Sequence, residues 1–254
     1  VVKISTSARS PLSPTPSKRN DFIWWQSILL AIGLYFVILV GSAIALGLVL
    51  GFGLGSPRDF RTLSWAVLFA QVFAYASGFG ILLPLLPKLA HRSLRELGLR
   101  FPTMMDVVWG IAGAVAMVLV VAAAGLIQEK VFHLKADQVA VQWLRATRGP
   151  LLAGFAILAC IITPPFEELV FRGFIFNALR RYMAPWGAVV ISAIFFGAAH
   201  MQPGNAGAVV PLAAGGVVLA TVYYRTGSLA ASMVTHAVFN AATFFAVAVL
   251  HQTN

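Results

Sequence analysis

Runs of about 20 consecutive apolar residues recur along this chain, separated by short polar and basic connections. A helix rising 1.5 Å per residue needs about that many residues to cross a hydrocarbon core about 30 Å thick, and its backbone polar groups are satisfied internally. The expected fold is therefore all-α, a polytopic membrane helix bundle. Seven transmembrane helices are expected, at about residues 22–50, 64–87, 105–127, 149–181, 185–201, 206–224 and 228–250. The balance of residues agrees: 59% are hydrophobic and 10% charged, against roughly 45–50% and 25% in soluble domains.

The net charge of +10 would suggest nucleic acid in a soluble protein. Here Lys and Arg lie mostly between or outside the apolar runs, so no nucleic-acid partner is expected and the partner is the lipid bilayer with its anionic headgroups. Residues 1–21, polar, basic and rich in Ser and Pro, read as a disordered cytoplasmic tail. The first apolar run is of span length and lacks a small-residue cleavage site, so it reads as a retained span. Residues 22–148 then form amino-terminal helices and loops, and 149–254 a helical core that carries the chemistry.

Lys3, Arg9, Lys18 and Arg19 in the tail, and Lys88, Arg92, Arg95 and Arg100 after the second span, place both segments in the cytoplasm by the positive-inside rule. Arg180, Arg181 and Arg225 agree with that orientation; Lys130, Lys135, Arg145 and Arg148 weaken it. The expected location is the plasma membrane, multi-pass, with the amino terminus inside. Cys160 is the only cysteine, which excludes an internal disulfide and a CxxC metal site. GFGLG at 51–55 closes a span and precedes no βαβ unit, so it reads as a helix-ending turn.

Against this background TPPFEELVFRGF (163–174) is anomalous, because a charge at the bilayer centre costs roughly 2.5–3.5 kcal/mol even on an insertion scale. Pro164 and Pro165 remove backbone donors and are expected to disturb the helix just before the acids. Neighbouring helical positions diverge by about 100°, so Glu167 and Glu168 point differently. Glu168 and Arg172 are spaced i,i+4 in the favourable order for an ion pair, which leaves Glu167 without a partner on its own helix. With a turn near Met183, Glu167 lies 16 residues before it and His200 17 after it. At 1.5 Å per residue the two stand level to within about 2 Å. Phe196 shares a face with His200, and His236 with Asn240, each at i,i+4. The last pair offers donors for an oxyanion, or equally for bonding between helices. His91, His133 and His251 receive no role.

Glu167-Glu168-x-x-x-Arg172, Phe196-x-x-x-His200 and His236-x-x-x-Asn240, in that order on three expected helices, resemble the CPBP family of CAAX proteases and bacteriocin-processing enzymes, also called the Abi or type II CAAX prenyl protease family. The resemblance covers about residues 149–245, and LRELGLR before the third span is similar to a stretch upstream of the family's core. It implies an intramembrane endopeptidase acting on a peptide or membrane-protein substrate. In that account Glu167 and His200 activate water, His236 and Asn240 stabilise the oxyanion, and Glu168, Arg172 and Phe196 support them. The family's account implies no cofactor. The alternative is Zn on Glu167, His200 and His236, an open His₂Glu site. Two other classes remain open, a non-proteolytic scaffold or bacteriocin-immunity factor on the same fold, and a transporter, although no internal repeat supports the latter.

Overall fold

The computed structural model describes residues 24–53, 60–90, 92–134, 147, 149–201 and 206–250. The expected tail, His91, most of the loop after the third span and His251 lie outside the described residues. Among the described residues there are seven helices and no strand: α1 (Trp24–Gly51), α2 (Phe60–Ala90), α3 (Met104–Phe132), α4 (Pro150–Leu179), α5 (Pro185–Ala199), α6 (Val209–Thr226) and α7 (Leu229–Leu250). This is the polytopic helical bundle expected from the apolar runs. Among the described residues, five stretches, on α2, α3, α4, α6 and α7, are long and apolar enough to cross a membrane. α5, with 15 residues, is shorter.

Local sequence sets the helix ends. Pro150 and Pro185 open α4 and α5, where a missing N–H leaves no bond unmade. Thr103 and Asp106 form a capping box at the start of α3, and Arg100 closes on the Asp106 carboxylate with both guanidinium nitrogens. Gly227 ends α6 in the left-handed conformation at φ 62°.

The bundle is apolar outside and partly polar within. Phe69, Phe73, Val115, Leu119, Ile194 and Phe245 are exposed, as suits side chains facing lipid, while Glu167, Glu168, Arg172, Ser232 and His236 are buried. Small residues let the helices approach closely. Gly216 of α6 packs against Ala193 of α5, and Gly113 of α3 against Thr235 of α7, so neither position has room for a Cβ without movement. α3 thereby packs along both α6 and α7, and joins the last four helices around the polar interior.

One end of the bundle is basic and tightly tied. The LRELGLR segment docks there: the Tyr223 hydroxyl donates to the Leu97 carbonyl at 2.8 Å, and the Leu229 N–H donates to the Gly98 carbonyl at 3.0 Å. Gly98 has φ +89° and lies against the Gly227 backbone, a position open only to glycine. Arg181 at the end of α4 donates to the Ala90 carbonyl at the end of α2, 2.9 Å away.

Candidate active site

The prolines do not break α4. The helix instead widens into π turns on both sides of them, at Leu158–Ile162 and Leu169–Phe176, with Thr163–Glu168 α-helical between. The sequence leads to this outcome through its missing donors. The Thr163 N–H bonds the Leu158 carbonyl, five residues back, and the following residue is Pro164, which has no N–H. The Ala159 carbonyl, passed over by Thr163, receives the Asn240 side-chain amide from α7 at 2.8 Å. In the second π turn the Asn177 amide donates to the Arg172 and Gly173 carbonyls, at 2.9 and 3.1 Å. Wide turns expose carbonyls, and side chains satisfy them.

The two acids diverge as adjacent helical positions should, yet one imidazole serves both. His236 Nδ1 lies 3.0 Å from Glu168 Oε1, while its Nε2 lies 3.8 Å from Glu167 Oε2. Glu168 is saturated. Its Oε1 also accepts from Arg172 Nη1 at 3.0 Å, and its Oε2 accepts from the Ser232 hydroxyl. Arg172, fully buried, donates Nη2 to the Gly216 carbonyl at 3.0 Å and holds its guanidinium 4.7 Å from the Phe196 ring centre. The i,i+4 pair is thus present, within a network that spans α4, α6 and α7. Such a network compensates burial of the charges, which a lone pair does poorly.

Across the α4–α5 hairpin, His200 Nε2 stands 3.8 Å from the same Glu167 Oε2. The expected level pairing is met. His200 Nδ1 is 2.8 Å from the Phe196 carbonyl, and because a carbonyl only accepts, this ring carries its proton on Nδ1. The Glu168 carboxylate assigns the Nδ1 proton of His236 in the same way. When both rings are neutral, two Nε2 lone pairs and a carboxylate oxygen converge. Glu167 Oε2 is buried and makes no hydrogen bond to the described residues. Three acceptors around one point suit a guest that brings protons, and 3.8 Å leaves room for a bridging water rather than a direct bond. Phe196 packs against both imidazoles, with ring centres 4.8 Å from His200 and 5.6 Å from His236.

Two histidines and a glutamate are also zinc-binding types, and Nδ1 anchoring of each ring is common around metals. His200 Nε2 and His236 Nε2 each stand 3.8 Å from Glu167 Oε2, and among the described residues no group of three or more His, Cys, Asp or Glu side chains is placed as a metal site.

The expected residues therefore assemble with one difference of emphasis. Glu167, Glu168, Arg172, Phe196, His200 and His236 form one cluster. Asn240 stands one turn beyond His236 and commits an amide hydrogen to the α4 backbone. Ser232 is a further member, one turn before His236 on the same helix face. A lone serine in LAASMVTH differs little from its small neighbours in sequence, and only its spacing from His236 hints at it.

Comparison with known proteins falls on the same part of the chain. Residues 149–242 match the family model described as type II CAAX prenyl endopeptidase Rce1-like. Over 212 residues the chain is 27% identical to a Bacillus subtilis (strain 168) protein named "Putative membrane peptidase YdiL", covering 81% of this chain and 83% of that one. No solved structure matches. The matched segment contains every residue of the cluster, so the likeness to type II CAAX prenyl endopeptidase Rce1-like proteins falls on the part of the chain that carries the site.

Proposed function

We propose that this protein is an intramembrane endopeptidase in which Glu167 is the general base. The observation that carries the reading is the buried Glu167 Oε2, without a hydrogen bond to the described residues and 3.8 Å from two imidazole nitrogens. Glu167 removes a proton from a water aligned by His200 Nε2, and the oxygen attacks the peptide carbonyl carbon. The carbonyl π electrons move to oxygen. His236, acting from its doubly protonated form, donates its Nε2 proton to that oxyanion as a hydrogen bond. The free amide hydrogen of Asn240 is the second donor. Collapse of the intermediate breaks the C–N bond, and Glu167 returns its proton to the leaving amine. The substrate is a peptide or membrane protein held in the bilayer.

The reaction is proposed as metal-free. Activity of the purified protein in lipid vesicles should survive a chelator and be lost in Glu167→Gln. In cells, a fragment present with the native protein should disappear with that variant. Chelator-sensitive activity restored by zinc would replace this mechanism with a metal-dependent one. Biological function retained in Glu167→Ala, His200→Ala and His236→Ala would instead favour a scaffold or immunity factor.

A further inference from the structure

A serine or threonine hydroxyl inside a helix ordinarily bonds a carbonyl of its own helix, which satisfies it without a neighbour. Ser192 on α5, Thr221 and Thr226 on α6, and Thr235 and Thr243 on α7 all do this, donating to carbonyls three or four residues back at 2.7–3.2 Å. Ser232 leaves its helix instead. Its hydroxyl donates to Glu168 Oε2 on α4, with the Leu219 carbonyl of α6 farther away at 3.2 Å. A hydroxyl has one hydrogen to give. The carboxylate claims it, being nearer and charged, while the Leu219 carbonyl lies inside α6, whose own ladder serves it.

That bond governs how Glu168 divides its two oxygens. Oε1 carries two donors, Arg172 Nη1 and His236 Nδ1, each at 3.0 Å. An unrestrained carboxylate would relieve this crowding by turning Oε2 toward one of them, because the terminal torsion of a glutamate is broad. Ser232 occupies Oε2 and blocks the turn. Neither Ser232 nor Glu168 has any exposure, so bulk solvent does not compete for that oxygen. With Oε1 fixed, the His236 ring is held through Nδ1, and its Nε2 is left 3.8 Å from Glu167 Oε2.

We propose that Ser232 is a positioning residue: by holding Glu168 Oε2 it keeps Oε1 on His236 Nδ1, and so aims His236 Nε2 at the point it shares with Glu167. Ser232 acts only through Glu168 and touches no reacting atom. The consequence for cleavage rests on the endopeptidase reading; the placement of the ring does not.

The test compares Ser232→Ala with Ser192→Ala in the full chain, held in lipid vesicles. Each change removes one oxygen from a serine with no exposure and adds no bulk, but the Ser192 hydroxyl serves its own helix. The ring nitrogens are read by nitrogen NMR of protein carrying isotope-labelled histidine, with the His236 signals identified by their loss in His236→Gln. In the native protein and in Ser192→Ala, His236 Nδ1 should be protonated. In Ser232→Ala the share of rings lacking that proton should rise about tenfold, the scale of one hydrogen bond to a charged group. Cleavage measured alongside should show kcat lowered about tenfold in Ser232→Ala with KM unchanged, and Ser192→Ala should match the native protein. Ring signals in Ser232→Ala that match the native ones overturn the proposal, whether or not cleavage falls. The same change of signals in Ser192→Ala also overturns it, as a general response of the bundle to a lost hydroxyl. Changed signals with kcat unaltered uphold the positioning and remove His236 from the oxyanion role. Changed signals in a protein that cleaves no membrane peptide in any form sink the endopeptidase reading and leave the positioning role standing.

Discussion

α3 and α4 are nearly the same length, 29 and 30 residues, and each is long and apolar enough to cross a membrane. They solve the crossing differently. α3 is a continuous α-helix with its buried polar side chains near its ends. Asp106 belongs to the amino-terminal cap, and Gln128 donates to the Leu134 and Gly207 carbonyls at 3.1 and 2.7 Å. α4 holds its charges mid-span and departs from α geometry twice. Its backbone and side chains are completed by α6 and α7, through the Gly216 carbonyl, Ser232, His236 and Asn240. A span that satisfies itself can be simple; one that carries chemistry borrows its partners from neighbours.

The contrast breaks most sharply at Glu167. Glu167→Gln preserves shape and removes the carboxylate proposed as the base, so kcat should fall by about 10²–10⁴ while unfolding stability in detergent is unchanged. Next in size is Arg172→Met. It strands the Glu168 carboxylate in a site with no exposure, and should cost about 3–5 kcal/mol. Combining it with Glu168→Gln should recover part of that loss, because the uncompensated charge is then gone. A double variant no more stable than Arg172→Met would show that the pair is not what α4 leans on.

Much of this site is legible in the sequence because helix geometry is regular. Counting 16 and 17 residues from Met183 brings Glu167 and His200 level, and the structure puts them 3.8 Å apart. The i,i+4 spacing of Glu168 and Arg172 likewise yields a 3.0 Å ion pair. The prolines are less transparent. Sequence shows that they lack donors, but whether the helix opens or widens depends on what collects the freed carbonyls. Here it is Asn240, 81 positions away, bonded to a backbone oxygen of Ala159 that no side-chain pattern marks. His236 reaching both acids is hidden for a related reason: the 100° divergence is real, but an imidazole has two nitrogens and spans it.

That carbonyl supplies the smallest of these effects and the finest probe of the comparison. Asn240→Ala should remove the donor to the part-buried Ala159 carbonyl and lower stability by about 1 kcal/mol, the low end for a group left unpaired. Pro164→Ala returns an N–H to the chain five residues beyond Ala159, within reach of a π turn, and makes α4 more like α3. In that background Asn240→Ala should destabilise by less, a coupling that a double-mutant cycle measures by thermal or denaturant unfolding in detergent. Activity separates the two duties of the amide. If stability is recovered in the double variant but cleavage is not, Asn240 also serves the oxyanion. If both return together, its work is to hold α4, and Glu167 with it, against α7.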